Sequence, residues 1–192
     1  MEVIMPPKVR ITKESIIQTA LELIRQNGMQ AVNARAIAEI LHCSTQPIFS
    51  NFETMEDLEK ATVAAAHDIY LHALQSEAES GKYPPYKAFG MAYIRFAKEE
   101  KELFKLLFMC DRTEKDLTPT NDFTASIEMI MKANALSREK AERFHLECWA
   151  CVHGIATMLA TCFLSFDWEM ISDMVTDVYQ GIRARHVGEE TQ

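Results

Sequence analysis

Apolar residues recur along most of the chain at the three- and four-residue spacing of amphipathic helices, and no segment alternates as a β-strand does. The first predicted helix begins after Thr12, whose hydroxyl is suited to cap it. It ends at Asn27 and Gly28, because glycine adopts the left-handed C-terminal conformation without strain. Its apolar stripe consists of Ile16, Ile17, Ala20, Leu21, Leu23 and Ile24.

Two short helices separated by a tight turn are predicted within residues 33–52. Asn33 is a favoured N-cap residue for the first helix, and Ser44 is expected to cap the second. His42 and Cys43 occupy the turn between them. The apolar positions are Ala34, Ile37, Ala38 and Leu41 in the first helix and Ile48, Phe49 and Phe52 in the second.

The second short helix presents uncharged hydrogen-bonding groups outward. A helix of this length is unstable alone in water, so it must be held by packing against its neighbours. Two helices joined by a tight turn, the second with a polar outer face, are typical of a helix-turn-helix that contacts DNA. The outward residues are Thr45, Gln46, Ser50 and Asn51.

Six more helices are predicted after this motif, which makes about nine in all. The fourth opens at Glu53 and Thr54 and runs unbroken to about Glu79, so it connects the N-terminal segment to the rest of the chain. Residues 1–9 are expected to form a mobile arm, residues 111–121 a polar loop, and the tail after Gly188 a frayed end. The other five helices span residues 86 to about 98, 103–110, 123–135, 138 to about 165 with Ser137 as cap, and 167 to about 185.

The charge of the chain is uneven. The net charge of −8 over 192 residues excludes a general binder of polyanions. Residues 8–35 nevertheless contain five basic residues against two acidic ones, which is compatible with local contact to phosphate. The basic residues are Lys8, Arg10, Lys13, Arg25 and Arg35.

The five cysteines are an odd number, and no secretion signal precedes them, so we expect free thiols and a cytoplasmic location. No apolar run approaches the roughly 18 residues that span a membrane. The longest, residues 149–166, is interrupted by polar residues and is interpreted as a buried helix.

Residues 16–52, with the sequence IIQTALELIRQNGMQAVNARAIAEILHCSTQPIFSNF, resemble the DNA-binding domain of TetR-family transcriptional regulators. The segment YKAFGMAYIRFAKEEKELFKLLF and the motif Trp149-x-x-x-His153-Gly154 are similar to one subgroup of the regulatory domains of that family. The resemblance implies an all-α fold with an N-terminal three-helix helix-turn-helix domain over residues 1–55. A long helix would join it to a helical ligand-binding and dimerisation domain over residues 56–192.

Several positions depart from the pattern of the resembled family. His42 stands where glycine is common, and it adopts a positive φ only at a cost. Phe49 stands where a tyrosine hydroxyl usually reaches a phosphate, so that bond is lost. Fewer phosphate contacts should flatten the salt dependence of DNA binding, by about one unit for each lost ion pair. The other departures are Asn51 for histidine, and Thr45 and Met55 for lysine.

For contact with bases we expect Thr45, Gln46 and Ser50, because a glutamine amide can bond adenine and a threonine methyl can meet a thymine methyl. Lys8 and Arg10 would either reach the minor groove from the arm or remain in solvent. Residues expected to position the DNA backbone are Asn33, Arg35, Ser44 and Asn51, and Phe49 completes the predicted surface.

The second domain carries a candidate effector pocket with soft apolar walls and few polar groups. The alternative is that these residues are ordinary core. A glycine inside a helix usually permits close packing, so Gly154 is expected to lie against a neighbour. The candidate residues are Met91, Phe104, Phe108, Met109, Trp149, His153 and Met158.

We expect no metal, cofactor or catalytic site. His145, Cys148, Cys151 and His153 suggest metal ligands, but one helix cannot place all four around a tetrahedral ion. A site shared with another helix, or a thiol switch across a dimer axis, stays open for Cys148 and Cys151. No triad, phosphate loop or carboxylate pair supports an enzyme.

The last two predicted helices have apolar faces that, in the resembled family, pair with a second subunit as a four-helix bundle. The sequence therefore predicts a homodimeric repressor that binds a palindromic DNA operator and is released by a small apolar or amphipathic effector. One alternative keeps the fold but binds a protein in place of DNA, and a weaker one is a helical enzyme. The apolar residues are Ala150, Ile155, Leu159, Cys162, Ile171, Met174, Val175, Val178 and Ile182.

Overall fold

A computed structural model describes residues 11–110 and 123–188, and these contain helices and no strand. The all-α prediction is confirmed. The predicted arm, the polar loop at residues 111–121 and the tail after Gly188 lie outside the described residues. The helices are α1 (Lys13–Asn27), α2 (Ala34–Ile40), α3 (Gln46–Asn51), α4 (Met55–Glu79), α5 (Pro85–Glu99), α6 (Lys101–Phe108), α7 (Thr124–Asn134), α8 (Arg138–Ala160) and α9 (Trp168–Gly188), with a 3₁₀ turn at Met29–Ala31.

Helix α1 begins and ends where the sequence predicts. The Thr12 hydroxyl accepts a bond from the Ser15 N–H at 3.2 Å, and the Ser15 hydroxyl accepts one from the Thr12 N–H at 3.0 Å. At the other end Gly28 has φ 77° and ψ 174°, a conformation essentially reserved for glycine. Gly28 is therefore required, although its ψ lies outside the left-handed helical region that the sequence suggested.

The turn between α2 and α3 places His42 at φ 50°, as its position in the motif predicts. The His42 N–H donates to the Glu39 carbonyl at 3.2 Å, and the Cys43 N–H donates to the Ala38 carbonyl at 2.9 Å. This pair of bonds is a Schellman motif, which normally carries glycine at the left-handed position. A histidine there satisfies the same carbonyl groups at a cost in backbone strain.

The start of α3 differs from the prediction. Thr45, and not Ser44, is the N-cap residue, and its side chain makes no capping hydrogen bond. Its backbone carbonyl accepts the N–H of Ile48 at 3.1 Å and that of Phe49 at 3.3 Å. Pro47, at the second helical position, has no N–H to be capped, so the helix starts with one unsatisfied donor fewer.

Helix α4 is one continuous helix that starts directly after the helix-turn-helix and ends at Glu79, within the part of the chain predicted to be the regulatory domain. A capping box at its start joins Thr54 and Asp57, with backbone-to-side-chain distances of 3.0 and 3.1 Å. Along its length α4 packs against α1, α5 and α6. Any displacement of α5 or α6 therefore acts directly on the helix that carries the N-terminal domain.

Helix α5 lies at the centre of the second half and packs against α4, α6 and α8. One hydrophobic core runs from α1 through α4, α5 and α6 to α8 and α9. A second, smaller core lies between α7, α8 and α9, around Phe144 and Ile130. The regulatory half is thus built from two cores that share α8.

Helix α8 ends at Ala160, five residues before its predicted end. Cys162 has φ 57°, the Cys162 N–H donates to the Leu159 carbonyl at 3.1 Å, and the Phe163 N–H donates to the Met158 carbonyl at 3.0 Å. These bonds form a second Schellman motif, and they turn the chain away from the helix axis. The prediction was wrong because this stop carries neither glycine nor proline.

No helix among residues 11–110 and 123–188 combines the length and the apolarity needed to cross a membrane.

Candidate DNA-binding surface and effector site

Helix α3 is held to the N-terminal core by only two side chains. Ile48 and Phe52 are buried, whereas Phe49, predicted as a third apolar packing position, has 49% of its surface exposed. The Phe49 position is three residues from Gln46 and therefore lies on the same side of the helix. Gln46 and Ser50 are exposed, and Thr45 and Asn51 are half-buried.

Two of the polar side chains predicted to contact DNA are bonded to their own helix. The Ser50 hydroxyl donates to the Gln46 carbonyl at 2.9 Å, and the Asn51 amide donates to the Pro47 carbonyl at 2.7 Å. Within the described part of the chain, the Gln46 side-chain amide has no hydrogen-bond partner. Gln46 is therefore the polar group of α3 that is best prepared to bond a base edge.

Asn33 caps α2 as predicted. Its side-chain carbonyl accepts the N–H groups of Arg35 and Ala36 at 3.1 and 3.0 Å, and its amide donates to the Ala31 carbonyl at 3.2 Å. Arg35 and Ser44 are exposed, as contact with a DNA backbone requires. A helix N-terminus that is capped and exposed can also bind a phosphate.

The basic arm that carries Lys8 and Arg10 lies outside the described residues. The structure does place one other cation next to the helix-turn-helix. The Lys13 ammonium lies 5.0 Å from the centre of the Phe52 ring, at the end of α3. Sequence reasoning counted Lys13 among the basic residues but assigned it no contact, because this proximity depends on how α1 packs on α3.

A cluster of aromatic rings joins α4, α5, α6 and α8 in the regulatory half. Tyr93 lies 5.3 Å from Phe104, 4.9 Å from Phe108 and 6.0 Å from Tyr70, measured between ring centres. The Tyr93 hydroxyl is hydrogen-bonded to Nδ1 of His153 at 2.9 Å. The Trp149 ring stacks on the His153 ring at 4.8 Å with an interplanar angle of 15°.

The structure brings four of the seven predicted effector residues together in this cluster: Phe104, Phe108, Trp149 and His153. Of the other three, Met91 is fully buried in the main core and Met158 is half-buried, whereas Met109 has 41% of its surface exposed.

Sequence reasoning did not assign Tyr70 and Tyr93 to this site. Burial raises the pKa of Tyr70, so its phenol is neutral at ordinary pH. The available signal was that a tyrosine within a predicted core stripe needs a polar partner for its hydroxyl. For Tyr93 that partner is His153, whose identity depends on the packing of α5 on α8.

His145, Trp149, His153 and Thr157 form one row along α8, because each lies four residues after the previous one. Nδ1 of His145 is bonded to the Tyr86 hydroxyl at 2.9 Å, while its Nε2 is buried with no partner among the described residues. The hydroxyl oxygen of Thr157 is also buried without a described partner. Burial lowers the pKa of His145, so the imidazole is neutral at pH 7.

The described residues contain no group of three His, Cys, Asp or Glu side chains that could hold a metal ion. Burial raises the pKa of Cys148 to about 12 and also raises that of Cys151. Thiolates are the metal-binding and redox-reactive forms of cysteine, and burial disfavours them at both positions.

Two parts of the chain match the sequence models of known protein families. Residues 16–62 match the bacterial regulatory proteins of the tetR family. Residues 86–178 match the tetracyclin repressor-like C-terminal domain. The chain belongs to the TetR family. It is thus a DNA-binding transcriptional regulator with a helix-turn-helix, and the resemblance found in the sequence is confirmed. A search of curated proteins found no significant match.

Gly154 of this TetR-family regulator has a different environment from the one predicted. A Cβ atom added at Gly154 would meet no atom within 4 Å, so within the described chain no close packing requires a glycine there. A Cβ added at Gly181 of α9 would likewise meet open space. That residues 149–154 mark one subgroup of regulatory domains stays a prediction.

The two halves of this TetR-family chain meet where α1 packs against α4 and α6. An open cleft of about 370 Å³ lies between α1 and α4, with Leu21 and Ile69 among the residues that line it. Beside this contact Arg25 of α1 forms an ion pair with Glu100, the residue between α5 and α6. Helix α6 carries Phe104 and Phe108, and Glu100 immediately precedes it. The ion pair from Glu100 to Arg25 therefore connects α6 to the DNA-binding domain.

Proposed function

We propose that this protein is a homodimeric repressor that binds a palindromic operator and is released by a small apolar or amphipathic effector. The proposal rests mainly on one observation, which is that helix α4 runs unbroken from the DNA-binding domain into the regulatory domain. Helix α4 starts at Met55, directly after the helix-turn-helix, and reaches the aromatic cluster through Tyr70. One rigid element therefore touches both the DNA-binding domain and the candidate effector site.

Exposed apolar side chains at α8 and α9 support the dimer. Leu146 has 61% of its surface exposed, Phe163 has 76% and Met170 has 49%. These are apolar side chains that an interface between two copies would bury, and the open surroundings of Gly154 and Gly181 leave room for closely packed helices. A two-fold dimer would present two α3 helices about 34–36 Å apart, the repeat of the major groove.

The chemistry of the aromatic cluster supports an uncharged effector. Its rings come from Tyr70, Tyr93, Phe104, Phe108 and Trp149, none of which is charged, and burial keeps the adjacent His145 neutral. Nε2 of His145 and the hydroxyl of Thr157 have no partner among the described residues, so each can form a hydrogen bond with a polar group of a ligand. An apolar or amphipathic molecule with one or two hydrogen-bonding groups fits this combination.

An effector regulates the protein only if it binds the state that does not bind DNA more tightly than the state that does. Displacing Phe104 or Phe108 would move α6, and with it Glu100 and the ion pair to Arg25 on α1. Displacing Tyr70 would act on α4 directly. Both routes change the orientation of the DNA-binding domain relative to its copy in the dimer.

The DNA upstream of the gene that encodes this protein is the first candidate operator, because a regulator of this family commonly controls its own gene. An electrophoretic mobility shift of that fragment should show a retained complex that competitor DNA of unrelated sequence does not remove. The affinity should fall with salt, because bound phosphates release counterions. No retained fragment at low salt would overturn the proposal.

The second candidate function is a module with this fold that binds a protein and no longer binds DNA. The observation that favours it is the composition of α3, since residues 46–51 contain neither lysine nor arginine. Salt-dependent, sequence-specific DNA binding would exclude it. The third candidate, a helical enzyme, has no support in the family assignment.

Two further proposals concern the organisation of the chain. We divide it at residue 55 into a DNA-binding domain, 1–55, and a regulatory domain, 56–192, because α4 begins at Met55. We also propose that the protein acts in the cytoplasm, where a bacterial regulator meets its DNA.

A further inference from the structure

Phe49 is a large apolar side chain on α3, on the same side as Gln46, and half of its surface is exposed. It is not needed to hold α3 in place, because Ile48 and Phe52 are buried in the core and anchor the helix. An exposed phenylalanine forgoes part of the roughly 1.5–3 kcal/mol that burial of such a side chain supplies. The exposed ring therefore has the surface properties of a binding contact.

The polar neighbours of Phe49 are less available than the sequence suggests. The Ser50 hydroxyl donates its single proton to the Gln46 carbonyl, so donating to a base would cost it this bond, and the Asn51 amide uses one of its two N–H donors on the Pro47 carbonyl. The helix contains no lysine or arginine to hold it against phosphates. Beside Gln46, the large exposed apolar side chain of α3 is that of Phe49.

The floor of the major groove presents one apolar group, the C5 methyl of thymine, and aliphatic or phenylalanine side chains recognise it by contact. The phenyl ring of Phe49 ends in a C–H edge and carries no hydroxyl that could bond a phosphate. Burial of the ring against a methyl group therefore contributes favourable binding free energy, whereas contact with a charged phosphate oxygen contributes none.

We propose that Phe49 is a specificity-determining residue that recognises the methyl group of one thymine in each half-site of the operator. Gln46, three residues earlier on the same face, would bond an adjacent base. The inference rests on the proposed function, because it requires sequence-specific DNA binding by α3.

The test begins with full-length protein and a pool of random double-stranded DNA, from which bound sequences are selected at low salt. Each thymine of the selected half-site is then replaced, one at a time, by deoxyuridine, which lacks only the C5 methyl group. Affinities are measured by fluorescence anisotropy for the natural protein and for Phe49→Ala. Since Phe49 is exposed, thermal unfolding should be nearly unchanged in this variant.

Deoxyuridine should weaken binding at one thymine position by about fourfold per half-site, the contribution of one buried methyl group. Phe49→Ala should lose the sensitivity at that position and keep any sensitivity at other thymines. Phe49→Leu, which retains an apolar side chain, should keep part of it. Thr45→Ser is the matched control, because Thr45 carries the other candidate methyl contact on α3.

Two results would overturn the inference and leave the proposed function standing. One is specific binding with no deoxyuridine effect at any thymine, and the other is a deoxyuridine effect that is equal in the natural protein and in Phe49→Ala. A deoxyuridine effect lost only in Thr45→Ser would assign the methyl contact to Thr45. Failure to select any sequence would overturn the proposed function, and this inference with it.

Discussion

Arg25 and Glu100 form a bidentate ion pair across the contact between the DNA-binding and regulatory halves. Nε of Arg25 donates to Oε2 of Glu100 at 2.8 Å, and Nη2 donates to Oε1 at 2.9 Å. The planar fork of arginine matches a carboxylate in this geometry, which fixes direction as well as distance. The pair therefore sets the position of α1 relative to the start of α6.

Removing this ion pair should have a small effect on stability and a larger one on DNA binding. The side chains of Arg25 and Glu100 are 36% and 26% exposed, so Arg25→Gln or Glu100→Gln should lower the free energy of unfolding by only about 0.2–1 kcal/mol. DNA affinity should change several-fold, because the ion pair is one of the contacts that hold α1 against the start of α6. Urea unfolding and anisotropy measure the two quantities.

The exchanged pair, Arg25→Glu with Glu100→Arg, should recover part of the DNA affinity that each charge reversal alone loses. The control is Arg138→Gln, which breaks an exposed pair with Glu142 on α8, far along the chain from α1. It should leave DNA affinity unchanged. Equal effects of Arg138→Gln and Arg25→Gln on DNA affinity would contradict a specific role for the inter-domain pair.

Tyr93→Phe should lower the free energy of unfolding by about 0.5–1.5 kcal/mol, the usual net value of one hydrogen bond. The lost bond joins the Tyr93 hydroxyl to His153 and so connects α5 to α8. The matched control is Tyr70→Phe, since Tyr70 lies in the same aromatic cluster and no hydrogen bond of its hydroxyl is found among the described residues. If both variants lose the same stability, the Tyr93–His153 bond has no special contribution.

His145 should make the protein less stable in mild acid. Burial lowers its pKa in the folded state, so below the unfolded value of about 6.5 the unfolded chain binds a proton that the folded chain does not. The free energy of unfolding should therefore fall as the pH drops below that value. Urea unfolding at pH 8 and pH 5.5 measures the difference, and His145→Asn should reduce it.

The comparison variant for this pH effect is His67→Asn. Burial also lowers the pKa of His67, but this residue is half-exposed on α4, so its contribution should be the smaller one. An unchanged difference between the two pH values in His145→Asn would show that the imidazole of His145 does not cause the loss of stability.

His42→Gly should stabilise the protein by about 0.5–1 kcal/mol. His42 has φ 50°, where a side chain costs roughly 1–2 kcal/mol, and the greater freedom of glycine in the unfolded chain offsets part of the gain. Differential scanning calorimetry should show a higher midpoint for His42→Gly. His42→Ala retains the Cβ atom and should not be stabilised, so a gain in both variants would attribute the effect to loss of the imidazole.

Most of the helices, and the caps of α1 and α2, could be predicted because their signals are local, whereas the predicted cap of α3, Ser44, was wrong. Thr12, Asn33 and Thr54 each lie next to the helix that they cap, and the periodicity of apolar residues identifies the buried face. The end of α8 could not be predicted, because Cys162 adopts a left-handed conformation in a run of apolar residues. Such a stop has no signature in residue type.

The side-chain contacts that join distant helices of the DNA-binding and regulatory domains depend on tertiary packing. Arg25 and Glu100 are 75 positions apart, and Tyr93 and His153 are 60 positions apart. Neither pair can be identified from the sequence, because the first depends on the packing of α1 on α6 and the second on the packing of α5 on α8. The exposure of Phe49 also depends on packing. The sequence predicted Phe49 both as an apolar packing position of α3 and as part of the DNA-binding surface, and the docking of Ile48 and Phe52 leaves it exposed.

The measurement that tests the central claim most directly compares Gln46→Ala with the natural protein on operator DNA and on unrelated DNA, over a range of salt concentrations. Because the Gln46 amide has no hydrogen-bond partner in the described part of the chain and can bond a base edge, the variant should bind the operator about 5- to 150-fold more weakly, as expected for one lost base contact of about 1–3 kcal/mol. Its affinity for unrelated DNA and its salt dependence should be unchanged. Equal losses on both DNAs would contradict base recognition by α3.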